Sequence, residues 1–411
     1  MSKIKEIIAR EIKDSRGKPT VEVELQTEKG NFFDSCPSGA STGTNEAVAL
    51  PAAQAIENVN NIIAPKLKGK EPTQQKELDE LMIALDGTKN KSKLGANAIL
   101  PVSMAICRAG AAAQKVPLYQ YIASISNHKS EILNFKIPHP SFNILNGGAH
   151  AKNKLELQEF MVVPQKKTFQ ENLVLGSKVF NALTDLLKTQ FGQVPDMGDE
   201  GGYAPEINTA EQALFMIKSA IGLAARGAQA GTHEDVKIAM DCAASEFYRD
   251  GKYEVQEGKQ LSRSEMVEFY KDLAARFPII SIEDPFAEED WEGFKDIVRQ
   301  IPSVTIIGDD LTTTNIEKIK EAENKKACNG IIIKLNQIGT VWETIDAVNL
   351  AKSYGWKIMV SHRSGETLDN FIADFSVGVG ADFIKSGAYT KEERVVKYNR
   401  LLEIEQELKT H

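Results

Sequence analysis

The second half of the chain alternates short apolar runs with amphipathic helical segments, and this alternation limits the possible folds more than any other feature. The apolar runs are VKIAMD, PIISIED, VTIIGDD, GIIIKLN, WKIMVSH and DFIKSG. Segments with helical periodicity, such as SEMVEFYKDLAARF and DWEGFKDIVRQI, lie between them. Continuously apolar strands separated by helices indicate a mostly parallel sheet that is covered on its outside. Six such units in succession favour a (β/α)8-type TIM barrel over an open sheet.

The first part of the chain has a different pattern of apolar residues, and this pattern predicts a smaller α+β domain. PTVEVELQT alternates apolar and polar residues, as a strand with one exposed face does. Apolar residues then recur at helical spacing from Leu78 to Leu85, and Gly87 is placed to end that helix. A polar, then proline-rich stretch at residues 128 to 138 predicts the domain boundary. We therefore expect an amino-terminal domain over residues 1–133 and a barrel over residues 134–411.

Composition narrows the class of function. A net charge of -8 argues against general nucleic-acid binding, so we expect no nucleic-acid partner. The four cysteines are far apart and fit no CxxC pattern, as is typical of free thiols in a reducing compartment. No apolar run reaches membrane-spanning length, and the amino-terminal stretch lacks the apolar core of a signal peptide. We expect a cytoplasmic protein without a membrane partner.

Each apolar run of the second half finishes on a polar or charged residue. After a first gap of 42 residues, these positions are 23 to 28 residues apart, about one strand, one helix and two loops. In a parallel barrel they would all emerge at the carboxy-terminal mouth, where barrel enzymes keep their sites. The alternative is that charged residues simply end strands. That would explain one such residue, but it explains six at nearly regular spacing poorly. The positions are Asp241, Glu283, Asp309, Lys334, His362 and Lys385.

Three of these residues are carboxylates, and they indicate a metal site. Asp241, Glu283 and Asp309 have no Cys or His at metal-ligand spacing, and oxygen-only ligands suit a hard cation such as Mg²⁺. Lys334 would end a strand in the same acidic mouth. If burial and metal charge lower its pKa, it becomes a general base. The alternative for Lys334 is a salt bridge to one of the acids.

Together these groups indicate proton abstraction next to a carboxylate. Lys334 would remove the proton, Mg²⁺ would stabilise the resulting enolate, and Lys385, Arg363 and Ser364 would offer a cationic patch to phosphate or carboxylate. A leaving group on the next carbon would need a separate acid. Glu200, in the glycine-framed stretch GDEGGYAP, is the candidate because that frame lets the backbone approach a ligand closely. A solvated turn is the alternative reading of this stretch.

The sequence is similar, nearly from end to end, to the enolase family of glycolytic phosphopyruvate hydratases. The shared motifs are DSRGKPTVEVEL, PSGASTGTNEA, LGANAIL, NGGAHA, LQEFMVVP, GDEGGYAP, MDCAASEFY, SIEDPF, GDDLTTTN, KLNQIGT, VSHRSGET and IKSGA. One of these motifs is moderately specific, whereas all of them in order are very specific. The resemblance implies a hydro-lyase that interconverts 2-phospho-D-glycerate and phosphoenolpyruvate in glycolysis and gluconeogenesis. It also implies two Mg²⁺ per active site, in keeping with the lysine or histidine base and Mg²⁺ of enolase-superfamily enzymes.

The resemblance assigns metal-binding and catalytic roles to matching positions. The first Mg²⁺ would be bound by Asp241, Glu283 and Asp309. Ser41, in the mobile loop SGASTG, would close over the site and join the second Mg²⁺. Lys334 would take the C2 proton of the substrate. The acid that assists loss of the C3 hydroxyl would be Glu200, supported by Glu159, with His150 also among the catalytic residues.

The resemblance also implies a substrate-binding set. Arg363 and Ser364 would bind the phosphate, and Lys385 would face the substrate carboxylate. The full expected set is His150, Gln158, Glu159, Glu283, Asp309, Lys334, Ser361, His362, Arg363, Ser364 and Lys385. Non-functional roles remain open for some of these residues. Ser41 could serve only a flexible turn, and His150 could be a hydrogen-bonded loop histidine. Gln158 and Glu159 could be ordinary exposed polar residues.

The chain departs from the family pattern in two regions. About a dozen residues that usually follow STGxxEAxEL are missing, since STGTNEAVALPAAQ runs straight through. The sequence ends at EIEQELKTH, before the usual tail, and Glu403 stands where the family often has an arginine of the dimer contact, with Arg400 one turn away. We still expect a homodimer or higher homo-oligomer. None of these changes removes a residue of the expected site.

Two other functions stay open at this point. Another enolase-superfamily enzyme could act on a different carboxylate, although the Glu159 and Glu200 pair and the SHRS run favour a phosphorylated β-hydroxy acid. A non-catalytic binding or structural protein could reuse the fold, and the missing segment and short tail are compatible with that. The intact set of expected site residues argues against a purely structural role.

Overall fold

The structure, a computed structural model, describes residues 2–39, 43–126, 135–226 and 235–410. The amino-terminal part pairs three antiparallel strands in the order β1-β2-β3 and covers them with helices. Its elements are β1 (Glu6–Lys13), β2 (Pro19–Thr27), β3 (Gly30–Ser35), α1 (Ala52–Asn58), α2 (Ala64–Leu67), α3 (Gln75–Asp86), α4 (Ala96–Gln114) and α5 (Leu118–Ile125), with a π-helical turn, Val59–Ile63, between α1 and α2.

Strand β2 and helix α4 form the centre of this domain. The apolar residues of β2, at alternate positions, are Val21, Val23 and Leu25, and all three are completely buried in one core with residues of α4. Helix α3 ends at Gly87, whose φ of 70° is left-handed, a conformation that glycine adopts without a steric penalty. The predictions of a smaller α+β domain, of the β2 strand and of the helix that ends at Gly87 are confirmed. The expected boundary at residues 133 and 134 lies outside the described residues.

Helix α4 bears on the expectation of no membrane-spanning run. Among the described residues it is the one helix that is long and apolar enough to cross a membrane by length and composition. The expectation that no run reaches this length is therefore wrong. Since 83% of the apolar window is buried inside the protein, α4 has the burial of a domain's core helix.

The second part of the chain closes eight strands into a barrel. In chain order its elements are β4 (His139–Asn146), β5 (Glu159–Pro164), α6 (Phe169–Phe191), α7 (Ala210–Arg226), β6 (Val236–Asp241), β7 (Tyr248–Arg249), β8 (Lys252–Gln256), β9 (Lys259–Leu261), α8 (Arg263–Arg276), β10 (Ile279–Glu283), α9 (Trp291–Gln300), β11 (Thr305–Gly308), α10 (Ile316–Lys325), β12 (Gly330–Ile333), α11 (Leu335–Ile338), α12 (Val341–Ser353), β13 (Lys357–Ser361), α13 (Phe371–Gly378), β14 (Phe383–Lys385) and α14 (Glu392–Lys409). Strands β7, β8 and β9 form a separate small sheet. That insertion accounts for the long first gap between the strand-end residues.

One barrel strand runs against the others. Strand β5 pairs antiparallel with both β4 and β6, whereas the remaining neighbours in the barrel are parallel. A loop without a crossover helix joins β4 to β5, and such a direct connection suits antiparallel strands. The first residue of β5, Glu159, therefore lies opposite Asp241, the last residue of β6. This reversal brings Glu159 to the same end of the barrel as the predicted strand-end residues.

The inside of the barrel is packed solid with apolar side chains. Six barrel strands contribute to one buried cluster, whose members are Met161, Val163, Ala239, Ile307, Ile332, Met359 and Phe383. Residues at alternate positions of the same strands, such as Ile306 and Ile331, belong instead to the large core beneath the surrounding helices. The interior is thus a filled core rather than a pore, as in other TIM barrels. Ligands can reach the barrel only from its ends.

The two domains are joined where helix α12 begins. The first backbone N–H groups of this helix have no partner within it, and side chains of the amino-terminal domain accept from them. Val341 N donates to Ser103 Oγ at 2.9 Å, and Trp342 N donates to Asp79 Oδ2 at 2.9 Å. Asp79 is completely buried, and Gln75 Nε2 donates to the same oxygen at 3.0 Å. A buried acid therefore holds the amino-terminal domain against a barrel helix.

Burial raises the pKa of Asp79 from 3.8 to about 7, against the hydrogen bonds that it accepts. Because the folded-state pKa lies above the unfolded value, this group's contribution to stability is complete below pH 3.8 and is lost as the pH rises to about 7. We expect Asp79→Asn, which cannot ionise, to remove that loss. The unfolding free energy of the wild type should fall by roughly 2 kcal/mol relative to the variant between about pH 5 and pH 8.

Urea unfolding of both proteins across this pH range measures the difference. Asp185→Asn, at an exposed position of α6, is the matched control and should follow the wild type at every pH. A constant difference between Asp79→Asn and the wild type would show that Asp79 does not titrate in this range.

Candidate active site

The carboxy-terminal end of the barrel gathers the six strand-end residues. Asp241, Glu283 and Lys385 are the last residues of β6, β10 and β14. The other three directly follow β11, β12 and β13, and they are Asp309, Lys334 and His362. The structure therefore places all six at one mouth, as parallel strands in register require. They come together because the apolar runs are strands of one barrel.

A cavity of about 40 Å³ lies at this mouth. The expected site residues that line it are His150, Gln158, Glu159, Glu200, Asp241, Asp309, Lys334, Ser361, His362, Arg363, Ser364 and Lys385. Glu283 does not line the cavity, but its Oε2 lies 3.0 Å from Lys385 Nζ. Ser41 lies outside the described residues. The cavity has room for only a few water molecules, so a phosphorylated acid could enter only if some of these side chains moved.

Lys385 is surrounded by carboxylates. Its Nζ lies 2.7 Å from Asp241 Oδ2, 3.0 Å from Glu283 Oε2 and 3.2 Å from Glu159 Oε1, and its side chain is only 3% exposed. Burial alone would lower the pKa of Lys385, but these carboxylates outweigh it and hold the pKa well above its usual value. The sequence grouped Lys385 with Arg363 and Ser364 in a cationic patch. The structure instead places its ammonium among acids, because carboxylates so close together repel one another unless a cation lies between them.

Lys334 forms an ion pair with Asp309 at the same mouth. The other Asp309 oxygen, Oδ1, accepts from Gln337 Nε2 at 2.8 Å. Burial lowers the pKa of Lys334, but the charge of Asp309 outweighs it and raises the pKa above its usual value. The salt bridge that was the alternative for Lys334 is thus present, and the lysine is protonated while this contact lasts.

The acids of the mouth form groups that could hold a divalent cation. Within the described residues, two sets have potential ligand atoms that all lie within 4.8 Å of one another. One set is Asp284, Asp309 and Asp310, and the other is His150, Glu159 and Glu200. Asp241 and Glu283 belong to neither set, and both contact Lys385.

The expected Mg²⁺ ligands fit a hard cation in their chemistry. Asp241, Glu283 and Asp309 offer carboxylate oxygens, which are the ligands that Mg²⁺ prefers. Glu283 Oε1 is buried and has no hydrogen-bond partner among the described residues, so this oxygen is available to a cation. One oxygen of each carboxylate contacts a lysine ammonium group, whose positive charge a divalent ion could replace.

Glu159 and Glu200 form a buried carboxyl pair. Burial, followed by the charge of Glu200, raises the pKa of Glu159 well above its usual value. Burial also acts to raise the pKa of Glu200, but the surrounding cations and hydrogen-bond donors, His362 foremost, hold it well below. Asn143 Nδ2 donates to Glu200 Oε2 at 3.2 Å, and His362 Nε2 lies 3.2 Å from the same oxygen. These opposite shifts favour protonation of Glu159 over protonation of Glu200.

Arg363 holds an internal anion. Its Nη1 donates to Glu46 Oε2 at 2.9 Å and its Nη2 to Glu46 Oε1 at 3.2 Å, and both side chains are less than 8% exposed. Arg363 Nη1 also donates to Asn336 Oδ1 at 2.9 Å. A two-oxygen contact of this kind is how arginine binds phosphate or carboxylate groups. Glu46 thus occupies the position that the sequence assigns to the substrate phosphate.

Gln158 and His150 line the cavity from the loop between β4 and β5. Gln158 is 7% exposed and its Nε2 donates to Asp241 Oδ2 at 3.4 Å, while Glu159 is 2% exposed. The alternative that Gln158 and Glu159 are exposed polar residues is therefore wrong. His150 is also buried, and its Nδ1 has no hydrogen-bond partner among the described residues. The alternative of a hydrogen-bonded loop histidine therefore has no support at that nitrogen.

Comparison with known proteins identifies the family. A family model described as the enolase C-terminal TIM barrel domain matches residues 134–411, and one described as the enolase N-terminal domain matches residues 4–122. The chain belongs to the enolase family. It is 46% identical over 419 residues to the enolase of Methanocaldococcus jannaschii, covering 98% of this chain and 95% of that protein. It is also 46% identical over 429 residues to enolase 1 of Entamoeba histolytica, covering 98% of this chain and 96% of that protein.

These matches confirm several predictions from the sequence. The family is enolase, the fold is a TIM barrel with a smaller amino-terminal domain, and the enzyme class of the family is that of the lyases. The roles of individual residues stay predictions.

Four residues of this enolase-family site were missed by the sequence reasoning. Glu46, Asp284 and Asp310 line the cavity, and Arg394 contacts His362 from behind it. Asp284 and Asp310 each follow an expected ligand directly, so the doubled acids of SIEDPF and GDD were a usable signal. Glu46 and Arg394 had no local signal, because only the fold brings their segments to the mouth.

Asp284 shows how strain and hydrogen bonding combine beside the site. Its φ is 39°, a left-handed conformation that costs a non-glycine residue about 1–3 kcal/mol. Its two carboxylate oxygens accept from the backbone N–H groups of Asp309, at 2.9 Å, and Asp310, at 2.8 Å. Each such bond contributes about 1 kcal/mol, so the two together offset much of the strain. The result is a carboxylate clamp that holds Asp309 in position.

We expect Glu46→Gln to tighten the binding of inorganic phosphate by about fivefold to tenfold. The amide keeps the size of the side chain but removes the charge that competes for Arg363, and tenfold corresponds to about 1.4 kcal/mol. Isothermal titration calorimetry with phosphate measures the change. Glu292→Gln, on the exposed side of α9, is the matched control and should bind as the wild type does. Equal or weaker binding by Glu46→Gln would show that Glu46 supports Arg363 instead of competing with the anion.

Proposed function

We propose that this protein catalyses the reversible dehydration of 2-phospho-D-glycerate to phosphoenolpyruvate and water, as a cytoplasmic enzyme of glycolysis and gluconeogenesis. One observation carries the proposal. A single cavity at the barrel mouth is lined by a lysine, a buried carboxyl pair and an arginine that binds an internal carboxylate, all within reach of one small molecule. Membership of the enolase family, whose relatives carry that name at 46% identity, supports the same reaction.

Lys334 is the proposed general base for the C2 proton. It is protonated in its ion pair with Asp309, so it must lose that proton before it can act. A cation held by Asp309 would offset the charge that stabilises the ammonium, and the burial of Lys334 would then favour the neutral amine. The amine would face the cavity from the end of β12.

Glu200, supported by Glu159, is the proposed acid for loss of the C3 hydroxyl. A departing hydroxide needs one proton to leave as water, and the raised pKa of Glu159 favours a proton on this pair. Glu159 and Glu200 reach the cavity from β5 and from the loop after α6, whereas Lys334 reaches it from β12. The base and the acid can therefore act on different atoms of one substrate without exchanging protons directly.

Anion binding is proposed for Arg363, Ser364 and Lys385. The guanidinium of Arg363 already holds the two oxygens of Glu46, and a phosphate offers the same pair of oxygens with more charge. Lys385 carries the positive charge that a substrate carboxylate would need among the acids of the mouth. Ser361, His362, His150 and Gln158 would complete the pocket wall.

Two Mg²⁺ are proposed for each site. Asp241, Glu283 and Asp309 would hold the first, and Ser41 would join the second. Bound there, Mg²⁺ would supply positive charge to the substrate's carboxylate and so make its α-proton more acidic.

A homodimer or higher homo-oligomer is also part of the proposal. Arg400 binds Asp374, Glu403 and Glu407 of its own chain, so Glu403 has an internal partner.

Purified protein should convert 2-phosphoglycerate only when Mg²⁺ is present. Removal of divalent cations with EDTA is expected to abolish turnover, because the acids of the mouth then pair with lysines, and added Mg²⁺ is expected to restore it. The absorbance of the conjugated product measures the rate. Turnover that persists after EDTA treatment would contradict a metal role, and no turnover with Mg²⁺ would contradict the proposed function.

Lys334→Ala is expected to lower turnover by roughly 10²-fold to 10⁴-fold, the usual contribution of a general base. It should also abolish exchange of the C2 proton of 2-phosphoglycerate with solvent deuterium, followed by proton NMR. Lys320→Ala, on the exposed surface of α10, is the control and should exchange at the wild-type rate. Exchange by Lys334→Ala at that same rate would remove Lys334 from the role of base.

A further inference from the structure

Arg394 is a buried cation whose contacts the proposed reaction does not explain. It lies in the first turn of α14, and its side chain is completely buried. Its carboxylate contact is long, since Nε lies 3.7 Å from Glu393 Oε1. A buried guanidinium is normally held by short bonds to acids or carbonyls, so the positions of its short bonds indicate what it does.

The guanidinium of Arg394 joins the two loops that carry the expected acid and the expected phosphate-binding run. Its Nη1 donates to the carbonyl oxygen of Arg363 at 2.6 Å, and its Nη2 donates to that of Ser364 at 2.7 Å. Nη2 also lies 3.4 Å from the carbonyl oxygen of Asp199, the residue before Glu200. One side chain thus sets the spacing between these loops.

The remaining contact of Arg394 determines where the proton of His362 lies. Arg394 Nη1 is 2.6 Å from His362 Nδ1. A guanidinium has only donors and stays protonated, so His362 Nδ1 must be the acceptor in this contact. The proton of the neutral imidazole is then on Nε2. A doubly protonated imidazole would place an N–H group against another donor, which excludes it from this arrangement.

The Nε2 side of His362 faces the expected acid. Nε2 lies 3.2 Å from Glu200 Oε2, the oxygen that also accepts from Asn143 Nδ2. The opposite tautomer would turn a nitrogen lone pair toward a carboxylate oxygen and repel it. Asn143 donates to Oε2, and the Nε2–H of His362 lies beside the same oxygen without a hydrogen bond of its own among the described residues, so the other oxygen of Glu200 is the one that can carry a proton to a ligand.

We propose that Arg394 is a positioning residue that holds His362 in its Nε2–H tautomer, so that His362 presents a proton donor to Glu200. The tautomer follows from the contacts alone, while its consequence for turnover rests on the proposed dehydration. Arg394 acts through His362 and through the loop carbonyls, without touching the cavity.

The other charges near His362 are consistent with a neutral ring. Burial lowers the pKa of His362 to about 4, against the charge of Glu200, and the charge of Arg394 lowers it further. Glu366 is the other acid that acts on the ring, and its Oε2 is paired with Lys397 Nζ at 2.7 Å. His362 is therefore expected to be neutral well above pH 4.

Nitrogen NMR of the wild-type protein tests the tautomer without any assay of turnover. In protein labelled with ¹⁵N histidine, the two ring nitrogens of His362 are distinguished by their couplings to the ring protons, and loss of the signals in His362→Asn assigns them. We expect a protonated Nε2 and an unprotonated Nδ1 from about pH 6 to pH 8. An Nδ1–H tautomer, or a charged ring in this range, would overturn the proposal even if the protein were an active enolase.

Arg394→Met tests the role of the arginine. It keeps an unbranched side chain but removes the donors, so we expect the Nδ1–H tautomer to appear, kcat to fall at least tenfold and the acid limb of the kcat–pH profile to move upward. Arg394→Lys, which keeps one cationic donor, should recover part of kcat. Arg400→Met is the matched control, since it removes a partly buried arginine of the same helix that pairs with Asp374 instead.

The control should lower thermal stability and leave the tautomer and the pH profile unchanged. If Arg394→Met behaves as this control does, Arg394 has only a structural role and the proposal is wrong. If Arg394→Met fails to fold, the wild-type NMR measurement decides. Failure of the proposed function would appear separately, as absence of turnover in a wild type whose His362 shows the Nε2–H tautomer.

Discussion

Charge balance in the buried mouth of the barrel is the constraint on which the rest of the site depends. Carboxylates from neighbouring strands lie within a few ångströms of one another, and a buried charge without a partner is destabilising by several kcal/mol. Lys385 offsets Glu159, Asp241 and Glu283 together, and Lys334 offsets Asp309. These two ammonium groups stabilise the buried carboxylates among which they lie. A metal cation could take over the same task and release the lysines for other roles.

The barrel supplies the positions of these charges. Its filled apolar interior prevents the strands from shifting, so the residues at their carboxyl ends stay in register. Because β5 is antiparallel, its first residue, Glu159, lies at this end of the barrel. If β5 were parallel to its neighbours, its last residue would lie there. The clamp from Asp284 to the backbone of Asp309 and Asp310 then connects β10 to β11 across the mouth. The site is thus held by strands and backbone hydrogen bonds more than by its loops.

The amino-terminal domain completes the site from outside. Glu46 is bound to Arg363, and the next residue, Ala47, donates its N–H to the carbonyl oxygen of Gln337. From Val48 onward the chain contacts its own domain again, since Val48 N donates to Asn90 O and Leu50 N donates to Asn97 Oδ1. This short connection runs directly into α1. Any anion that displaces Glu46 must therefore act on a segment tied to both domains.

Much of this arrangement could be predicted from the sequence, because it depends on local patterns. Alternating apolar runs and helices determined the barrel, and the polar residue at the end of each run determined which side chains meet at its mouth. The motifs determined the family. These features can be predicted without a structure, because strand pairing in a barrel places the end of every apolar run at the same mouth.

The pairing of the charges was decided only by the tertiary structure. No local pattern indicated that Lys385 would lie among three carboxylates, that Glu46 would occupy Arg363, or that β5 would run in reverse. Arg394 is 32 residues from His362 in the chain, and their contact exists only because α14 packs behind the mouth. A sequence specifies which charged groups reach a buried site, whereas their mutual distances, and hence which proton resides on which group, depend on how the whole chain packs.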